Sequence, residues 1–243
     1  MAGLSRESFK FMKELSENNS KPWFDANRAR YDAHVRLPLK ELAEGLAAPV
    51  GSILPEFTGK AKVSRINNDI RFAPNKPIYK EHMWVSFGGM MPAEADFFVG
   101  LNGQGWSAGA GIGSQKREPL DVWRENLVRH FARWHRYMEA LNEVGGVKTY
   151  SENPYAKPLY PDAPLEIQPL LQARSTWLVT TAKPDFAGDP MRECFVDMCR
   201  MLPTYLFMVT PGGELMARLG ELGKGIKAPD KGVEKIWKAV SKG

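Results

Sequence analysis

The stretch Lys62–Phe87, KVSRINNDIRFAPNKPIYKEHMWVSF, decides how the rest of the chain is interpreted. Side chains alternate between two faces along a β-strand. If the first half of this stretch is a strand, Ile66, Ile70 and Phe72 share one face, which we expect to be core. The opposite face then carries the polar residues Arg65, Asn67, Asp69 and Arg71. The pattern predicts one buried face and one face suited to binding.

A loop and a second strand follow in the same stretch. Pro74, Asn75 and Pro77 predict the loop, because proline and asparagine favour turns. The polar residues that this loop brings toward the first strand are Lys76, Tyr79 and Lys80. The run from His82 to Phe87 then predicts a second strand. Its side chains on one face are His82, Trp84 and Ser86.

These residues suggest a site for a carboxylate or a phosphate. Arginine forks would bind the anion, and Asp69 would hold one arginine in place. The candidate proton-transfer residues are Asp69, Tyr79 and His82. The candidate ligand-binding residues are Arg65, Asn67, Arg71, Lys76 and Lys80, with Asn27 and Arg28 from a preceding helix. The alternative is that Asp69 pairs with Arg65 or Arg71 as a structural salt bridge, and the sequence leaves both interpretations open.

Composition places the chain among ordinary globular proteins. It has 243 residues, of which 43% are hydrophobic and 25% charged, so we expect one domain over residues 1–243 with a lysine-rich C-terminal extension. No segment approaches the roughly 20 apolar residues that span a bilayer, and the first residues lack the apolar block of a secretory signal. A cytoplasmic location is therefore expected. The net charge of +5 would suit an anionic partner, although it is spread along the chain.

The remaining elements predict the fold class. Helical spacing and capping residues predict helices over 5–15, from Ser20 onward, around Leu39–Leu46, from Pro119 to Gly145, from Asp189 to near Pro203 and over 214–222. Strands are predicted over 95–101, 106–112 and 175–182, a linker over 49–59, an irregular loop over 151–169 and a polar tail at the end. Helices that flank a central group of strands indicate an α+β fold with a mainly antiparallel central sheet and helices packed on it.

Part of this pattern resembles a known family. The residues that carry the resemblance are Asn18, Asn19, Trp23, Phe24, Asn27, Arg28, Tyr31, Arg65, Asp69, Arg71, Phe72, Lys76, Tyr79 and Lys80. They resemble the pattern of a widespread bacterial and fungal family known only as a domain of unknown function. The resemblance covers about residues 5–207 and implies a single α+β domain, but no reaction. Asn75 stands where an acidic residue is usual in that family, and Ile78 where proline is usual.

Other motifs are weaker. Gly105–Gly109 matches the GxSxG nucleophile motif by letters, but that motif needs a helix directly after it, and more strand is predicted here. Cys194 and Cys199 are spaced so that they lie on different faces of a helix, so no disulfide is expected. No cofactor motif or metal-ligand set is indicated. A row of arginines on the long helix is interpreted as a solvated face, with phosphate contact as the alternative: Arg124, Arg129, Arg133 and Arg136.

Two hypotheses remain at this point. The first is a cationic cleft for a small anionic ligand, with turnover left open. The second is a non-enzymatic module that binds nucleic acid or a protein through the arginine-bearing helix and the lysine-rich tail. The oligomeric state is not predicted by any sequence feature.

Overall fold

The computed structural model describes residues 3–55, 57, 61–71, 75–87, 95–113, 117–182, 188–226 and 230–241. These residues group into two compact units. The first unit is drawn from Met1–Phe87, Phe98–Ser107 and Ala182–Phe195, and the second from Gly88–Phe97, Ala108–Thr181 and Val196–Gly243. Within the described ranges, no helix combines the length and the apolar character that crossing a membrane requires.

The strands form one sheet. Their bounds are β1 Lys62–Val63, β2 His82–Ser86, β3 Asp96–Asn102, β4 Trp106–Ile112, β5 Lys148–Glu152 and β6 Ser175–Val179. The strand order is β1-β2-β3-β4-β6-β5. Four of these neighbouring pairs are antiparallel: β1 with β2, β2 with β3, β4 with β6, and β5 with β6. Together with the helices, this sheet confirms the predicted α+β class and its mainly antiparallel character.

The turn between β3 and β4 contains an asparagine and two glycines, Asn102, Gly103 and Gly105. The Asn102 side-chain oxygen accepts hydrogen bonds from the backbone amides of Gln104 (2.8 Å) and Gly105 (3.1 Å). The amide of Asn102 in turn donates to the carbonyl of Gly105 (3.0 Å). An asparagine that satisfies its own turn in this way fixes the hairpin locally.

In the first unit, several helices follow one another closely. They are α1 Arg6–Glu17, α2 Lys21–Ala26, α3 Arg28–Tyr31, the π-helical turn Asp32–Arg36 and α4 Leu37–Ile53. Ser20 occupies the N-cap of α2, as predicted. Phe11, Phe24 and Tyr31 pack against one another with ring centroids 5.2–6.4 Å apart. These aromatic contacts hold the short helices together.

Three predictions for the first unit are wrong. The linker expected from Pro49 does not begin there, because α4 continues through this proline to Ile53, and its buried residues Val50 and Ile53 stabilise the last turns. Ile70, expected in the core, is 44% exposed. The strand expected over the first half of the central stretch is limited to β1, followed by an isolated bridge between Asn67 and Tyr79. Phe72 and Pro74 lie outside the described residues.

The second unit contains the remaining helices. They are α5 Arg117–Arg129, α6 Phe131–Val144, the 3-10 turn Leu165–Ile167, α7 Gln168–Gln172, most of α8 Pro190–Val209, α9 Leu215–Gly225 and α10 Lys231–Ser241. The single long helix predicted from Pro119 is divided at His130 into α5 and α6. Its apolar stripe is nevertheless the buried face, since Trp123, Leu127 and Trp134 are all at most 3% exposed.

The C-terminal part of this unit differs from the sequence-based expectation. Helix α8 passes Pro203 and ends at Val209, because the residues after this proline pack into the core. The expected polar tail is helix α10, and its Trp237 is 5% exposed. The indole nitrogen of Trp237 donates to the carbonyl of Cys199 (3.0 Å). Strand β5 overlaps the region predicted to be an irregular loop, 151–169, at its last two residues, Ser151 and Glu152.

The arginines of α5 and α6 do not form one solvated face. The side chain of Arg124 is 3% exposed, and its guanidinium donates to the carbonyls of Leu171 (2.8 Å) and Ala173 (2.7 Å). Arg133 donates to the carbonyl of Val240. Both therefore tie elements of the second unit together.

Cys194 and Cys199 are both buried, and they do not form a disulfide with each other. Burial raises the pKa of Cys199 to about 12, so this thiol stays protonated at neutral pH.

Candidate functional site

Several of the predicted site residues lie on a pair of antiparallel segments in the first unit. The amide of Ser64 donates to the carbonyl of Trp84 (2.8 Å), and the amide of Lys80 donates to the carbonyl of Ile66 (2.7 Å). Further along, the amide of Asn68 donates to the carbonyl of Ile78 (3.0 Å). Residues 64–68 therefore run beside residues 78–84 although most of them are not assigned to a strand.

Asn19 anchors this pair of segments to the helices. Its side-chain nitrogen donates to the carbonyl of Tyr79 (2.9 Å), and its side-chain oxygen accepts from the amide of the same residue (2.9 Å). An asparagine amide that pairs with both groups of one residue fixes that residue's backbone as a neighbouring strand would. Asn19 was not among the predicted site residues, although it was part of the asparagine pair in the family pattern.

Tyr79 has a packing role. It is 4% exposed, and its ring stacks on Phe24 with centroids 4.1 Å apart. The guanidinium of Arg28 lies 5.2 Å from the centroid of Phe24 and donates to Asp25 (2.9 Å). The ammonium of Lys21 donates to the other oxygen of this aspartate (2.5 Å). Arg28 thus belongs to a surface ion-pair group beside Tyr79.

Asp69 and Arg71 form a two-pronged ion pair. Arg71 donates from Nε to Oδ1 (2.9 Å) and from Nη2 to Oδ2 (2.6 Å), and its backbone amide also reaches Oδ1 (3.2 Å). Both side chains are more than half exposed. These hydrogen bonds lower the pKa of Asp69 to about 2. Asp69 is therefore ionised near neutral pH and poorly suited to donate a proton, and the Arg71 fork is occupied by it. This geometry matches the structural salt bridge that the sequence left open.

Lys80 links the two segments of this pair. Its ammonium donates to the carbonyls of Arg65 (2.5 Å) and Asn67 (2.9 Å) and lies 5.3 Å from the ring centroid of Trp84. The ring of His82 is stacked beside that of Trp84, with centroids 5.3 Å apart. We call Arg65, Lys80, His82 and Trp84 the Lys80 cluster. It combines two basic side chains with two aromatic rings on one segment pair.

The charges of the Lys80 cluster affect one another. Burial and the nearby positive charge of Arg65 lower the pKa of Lys80. Burial, followed by the charge of Lys80, lowers the pKa of His82, and Glu81 opposes this effect. The imidazole is therefore neutral at neutral pH and can accept a hydrogen bond. Like charges held close together are the pattern expected where an anion would bind.

Two other predicted ligand-binding residues are placed differently. Asn27 donates from its side chain to the carbonyl of Trp23 (2.9 Å) and accepts from Arg30 (3.0 Å), which also pairs with Glu7 and Glu14. Asn27 is thus part of the network that joins the first helices. Lys76 is exposed near the tip of the segment pair.

The other motifs do not form a site. Ser107 of the GxSxG match lies inside strand β4, which continues to Ile112, so the strand-to-helix turn of a nucleophile elbow does not follow it. Among the described residues, no group of three or more His, Cys, Asp or Glu could hold a metal ion.

A shallow surface depression of about 500 Å³ lies in the second unit and contains none of the predicted site residues. It is lined by Arg117, Glu118, Asp121, Val122, Glu125 and Tyr160. Its three carboxylates disfavour an anion there.

Comparison with known protein families identifies the family of this chain. Residues 7–205, well over half of the chain, match the model of the family described as conserved hypothetical protein (DUF2461). The chain therefore belongs to this family, which confirms the resemblance to a domain of unknown function. No curated protein and no solved structure matches the chain significantly.

Proposed function

We propose that this member of the conserved hypothetical family binds a small anionic ligand, bearing a phosphate or a carboxylate, at the Lys80 cluster. The observation that carries the proposal is the placement of the Lys80 ammonium against the Arg65 backbone, beside the Arg65 positive charge. An anion at this point would offset the repulsion between the two cations. It would also receive charge-assisted hydrogen bonds, which are stronger than neutral ones.

Each member of the cluster has a distinct part in this proposal. Lys80 is held by two carbonyls, so its remaining N–H bond supplies a fixed donor. Arg65 is exposed and supplies a planar fork that matches a carboxylate or a phosphate. His82, neutral because of its lowered pKa, would accept a hydrogen bond from a ligand hydroxyl or a protonated phosphate oxygen. The partly buried Trp84 lies beside Lys80 and His82.

The contribution of Arg71 is revised. Its fork is occupied by Asp69, so an anion at Arg71 would have to displace a carboxylate that is already in ideal geometry. We therefore assign the guanidinium that binds the ligand to Arg65. Asp69 and Arg71 form a surface pair at the end of the same segment.

The hypothesis of a nucleic-acid or protein module has less support. Arg124 and Arg133 are engaged with backbone carbonyls, and Lys235 of α10 pairs with Glu143. Much of the basic surface assumed for that hypothesis is therefore engaged within the second unit. The stacked rings of His82 and Trp84 would still suit a nucleic-acid base, so oligonucleotides belong in the same test.

A thermal-shift titration tests the proposal. The probes are inorganic phosphate, citrate, a set of phosphorylated small molecules and a short oligonucleotide. A ligand at 100 times its dissociation constant stabilises a protein by about 2.7 kcal/mol, which for a chain of this size raises Tm by roughly 5–10 °C.

The matched variants are Arg65→Gln and Arg71→Gln, which remove exposed guanidiniums from the same segment. We expect the shift to be lost in Arg65→Gln and kept in Arg71→Gln. Equal shifts in both variants, or no shift with any small anion, would overturn the proposal. A shift caused only by the oligonucleotide, and weakened by salt, would favour the alternative.

A further inference from the structure

Strand β5 is an exposed edge of the sheet. It is the last strand in the order β1-β2-β3-β4-β6-β5, and all five of its residues, Lys148–Glu152, are exposed. Gly146 before it and Asn153 after it both have positive φ (79° and 53°), a conformation that favours glycine and asparagine. These two residues set where the strand begins and ends.

An edge strand presents unpaired backbone groups to any partner that can add a strand. Native proteins often protect such edges with charged side chains, and Lys148 and Glu152 could be explained in that way. The order of the side chains along β5 indicates whether these charges only protect the edge or also pair with a second strand. In KTYSE the two charges have opposite sign and lie at equal distances on either side of Tyr150.

We infer that β5 pairs antiparallel with β5 of a second copy of this chain, about a two-fold axis at Tyr150. In this register Lys148 of one copy faces Glu152 of the second copy, and Thr149 faces Ser151. Tyr150 faces its own counterpart. Opposite charges, paired hydroxyls and paired aromatic rings are each favourable cross-strand combinations.

Other arrangements do not satisfy the same groups. A parallel, in-register pairing would place Lys148 against Lys148 and Glu152 against Glu152, and like charges directly opposite are destabilising. An antiparallel shift by two residues in either direction loses the charge pairs and the tyrosine pair. A shift by one residue would put Lys148, Tyr150 and Glu152 of one copy on the opposite face of the sheet from the same residues of the second copy.

The neighbouring strand supports the same register. Tyr150 is 49% exposed and pairs with Trp177 on β6, which in turn pairs with Gly111 on β4. Joining two copies at Tyr150 would therefore form a continuous aromatic row on one face of the extended sheet. Such a row would cover part of the exposed tyrosine ring.

A pair of five-residue strands buries less surface than a stable interface, which needs about 1,200 Å² in total. We therefore expect a weak dimer whose population depends on concentration. This inference concerns the second unit and does not depend on the anion proposal, which concerns the Lys80 cluster.

Charge exchange across β5 tests the inference. The variants are Lys148→Glu, Glu152→Lys and the double swap, all at exposed residues whose replacement leaves the core unchanged. Lys157→Glu, an exposed lysine of the same unit outside β5, is the matched control. Sedimentation velocity over a concentration range of about a hundredfold measures dimerisation, and circular dichroism checks folding.

Each single change converts both charge pairs of the dimer to like-charge pairs, so we expect dimerisation to weaken about tenfold or more. The double swap should restore it, and Lys157→Glu should leave it unchanged. A mixture of Lys148→Glu with Glu152→Lys should form a heterodimer, because every pair is then of opposite charge. A wild-type chain that stays monomeric, single variants that dimerise normally, or a double swap that fails to restore dimerisation would overturn the inference.

Discussion

Replacing Arg124 with alanine removes a buried guanidinium that holds two backbone carbonyls of the second unit. Its Nε and Nη2 atoms donate to Leu171 (2.8 Å) and Ala173 (2.7 Å). Hydrogen bonds to charged groups contribute about 1.5–3 kcal/mol each, and the carbonyls left behind would be poorly solvated. The contact with Asp121 adds little, because that carboxylate is 59% exposed. The two carbonyl contacts alone predict a loss of about 3–6 kcal/mol in the free energy of unfolding.

The assay is urea denaturation followed by tryptophan fluorescence and circular dichroism. Arg129→Ala is the matched control, since this arginine lies on the same helix α5, is 52% exposed and pairs with Glu125. An exposed pair of this kind should change the free energy of unfolding by about 0.5 kcal/mol or less. Arg124→Lys should recover only part of the loss, because an ammonium cannot reproduce the planar fork. A loss of less than about 1 kcal/mol in Arg124→Ala would refute the reasoning.

Two further predictions follow from close contacts and from titration. Gly111→Ala would bring a methyl group to 2.0 Å from a ring atom of Trp177, so we expect the free energy of unfolding to fall by about 1–3 kcal/mol. Gly113→Ala is the control, because a methyl group there has no atom within 4 Å. Equal stabilities of these two variants in urea denaturation would contradict the packing argument. For the ion pair, carbon-detected NMR should show Asp69 titrating near 2, and Arg71→Gln should return its pKa toward 3.8. Because folding lowers this pKa, the pair stabilises the fold above about pH 4 and loses its effect as pH falls toward 2. If the pKa of Asp69 is unchanged in Arg71→Gln, the ion pair with Arg71 is not the cause of the lowered pKa.

The hairpin of β3 and β4 could be predicted because its information is local. Alternating side chains and an asparagine-glycine turn are sufficient to specify a strand pair over 96–112. Pro49 and Pro203 misled the same reasoning, since proline usually ends a helix. Helices α4 and α8 continue through them because buried residues after each proline favour the helix more than the lost backbone hydrogen bond disfavours it. This outcome depends on tertiary packing, which a local pattern does not contain.

Ile70 and Arg124 were assigned to the wrong environments for opposite reasons. The alternation of side chains along a strand placed Ile70 on the core face. This pattern does not show where a strand ends, and the backbone pairing of this segment ends after Asn68. Arg124 was placed on the polar face although it lies four residues after Leu120 and three before Leu127, both buried. That spacing puts it within the apolar stripe, and it is the signal that could have identified a buried arginine.

The candidate site illustrates how the fold and the proposed function share residues. Asn19 fixes the backbone of Tyr79, and Lys80 follows it and binds the carbonyls of Arg65 and Asn67. A change at Asn19 or Lys80 would therefore disturb the segment pair whether or not a ligand binds there. The Arg65 guanidinium belongs to an exposed side chain whose backbone, not its fork, is held by Lys80. Arg65→Gln removes this guanidinium and leaves the backbone contact of Lys80 in place, so it separates ligand binding from folding. If the Arg65→Gln protein folds but no longer binds an anion, a functional site explains the result and a structural role does not.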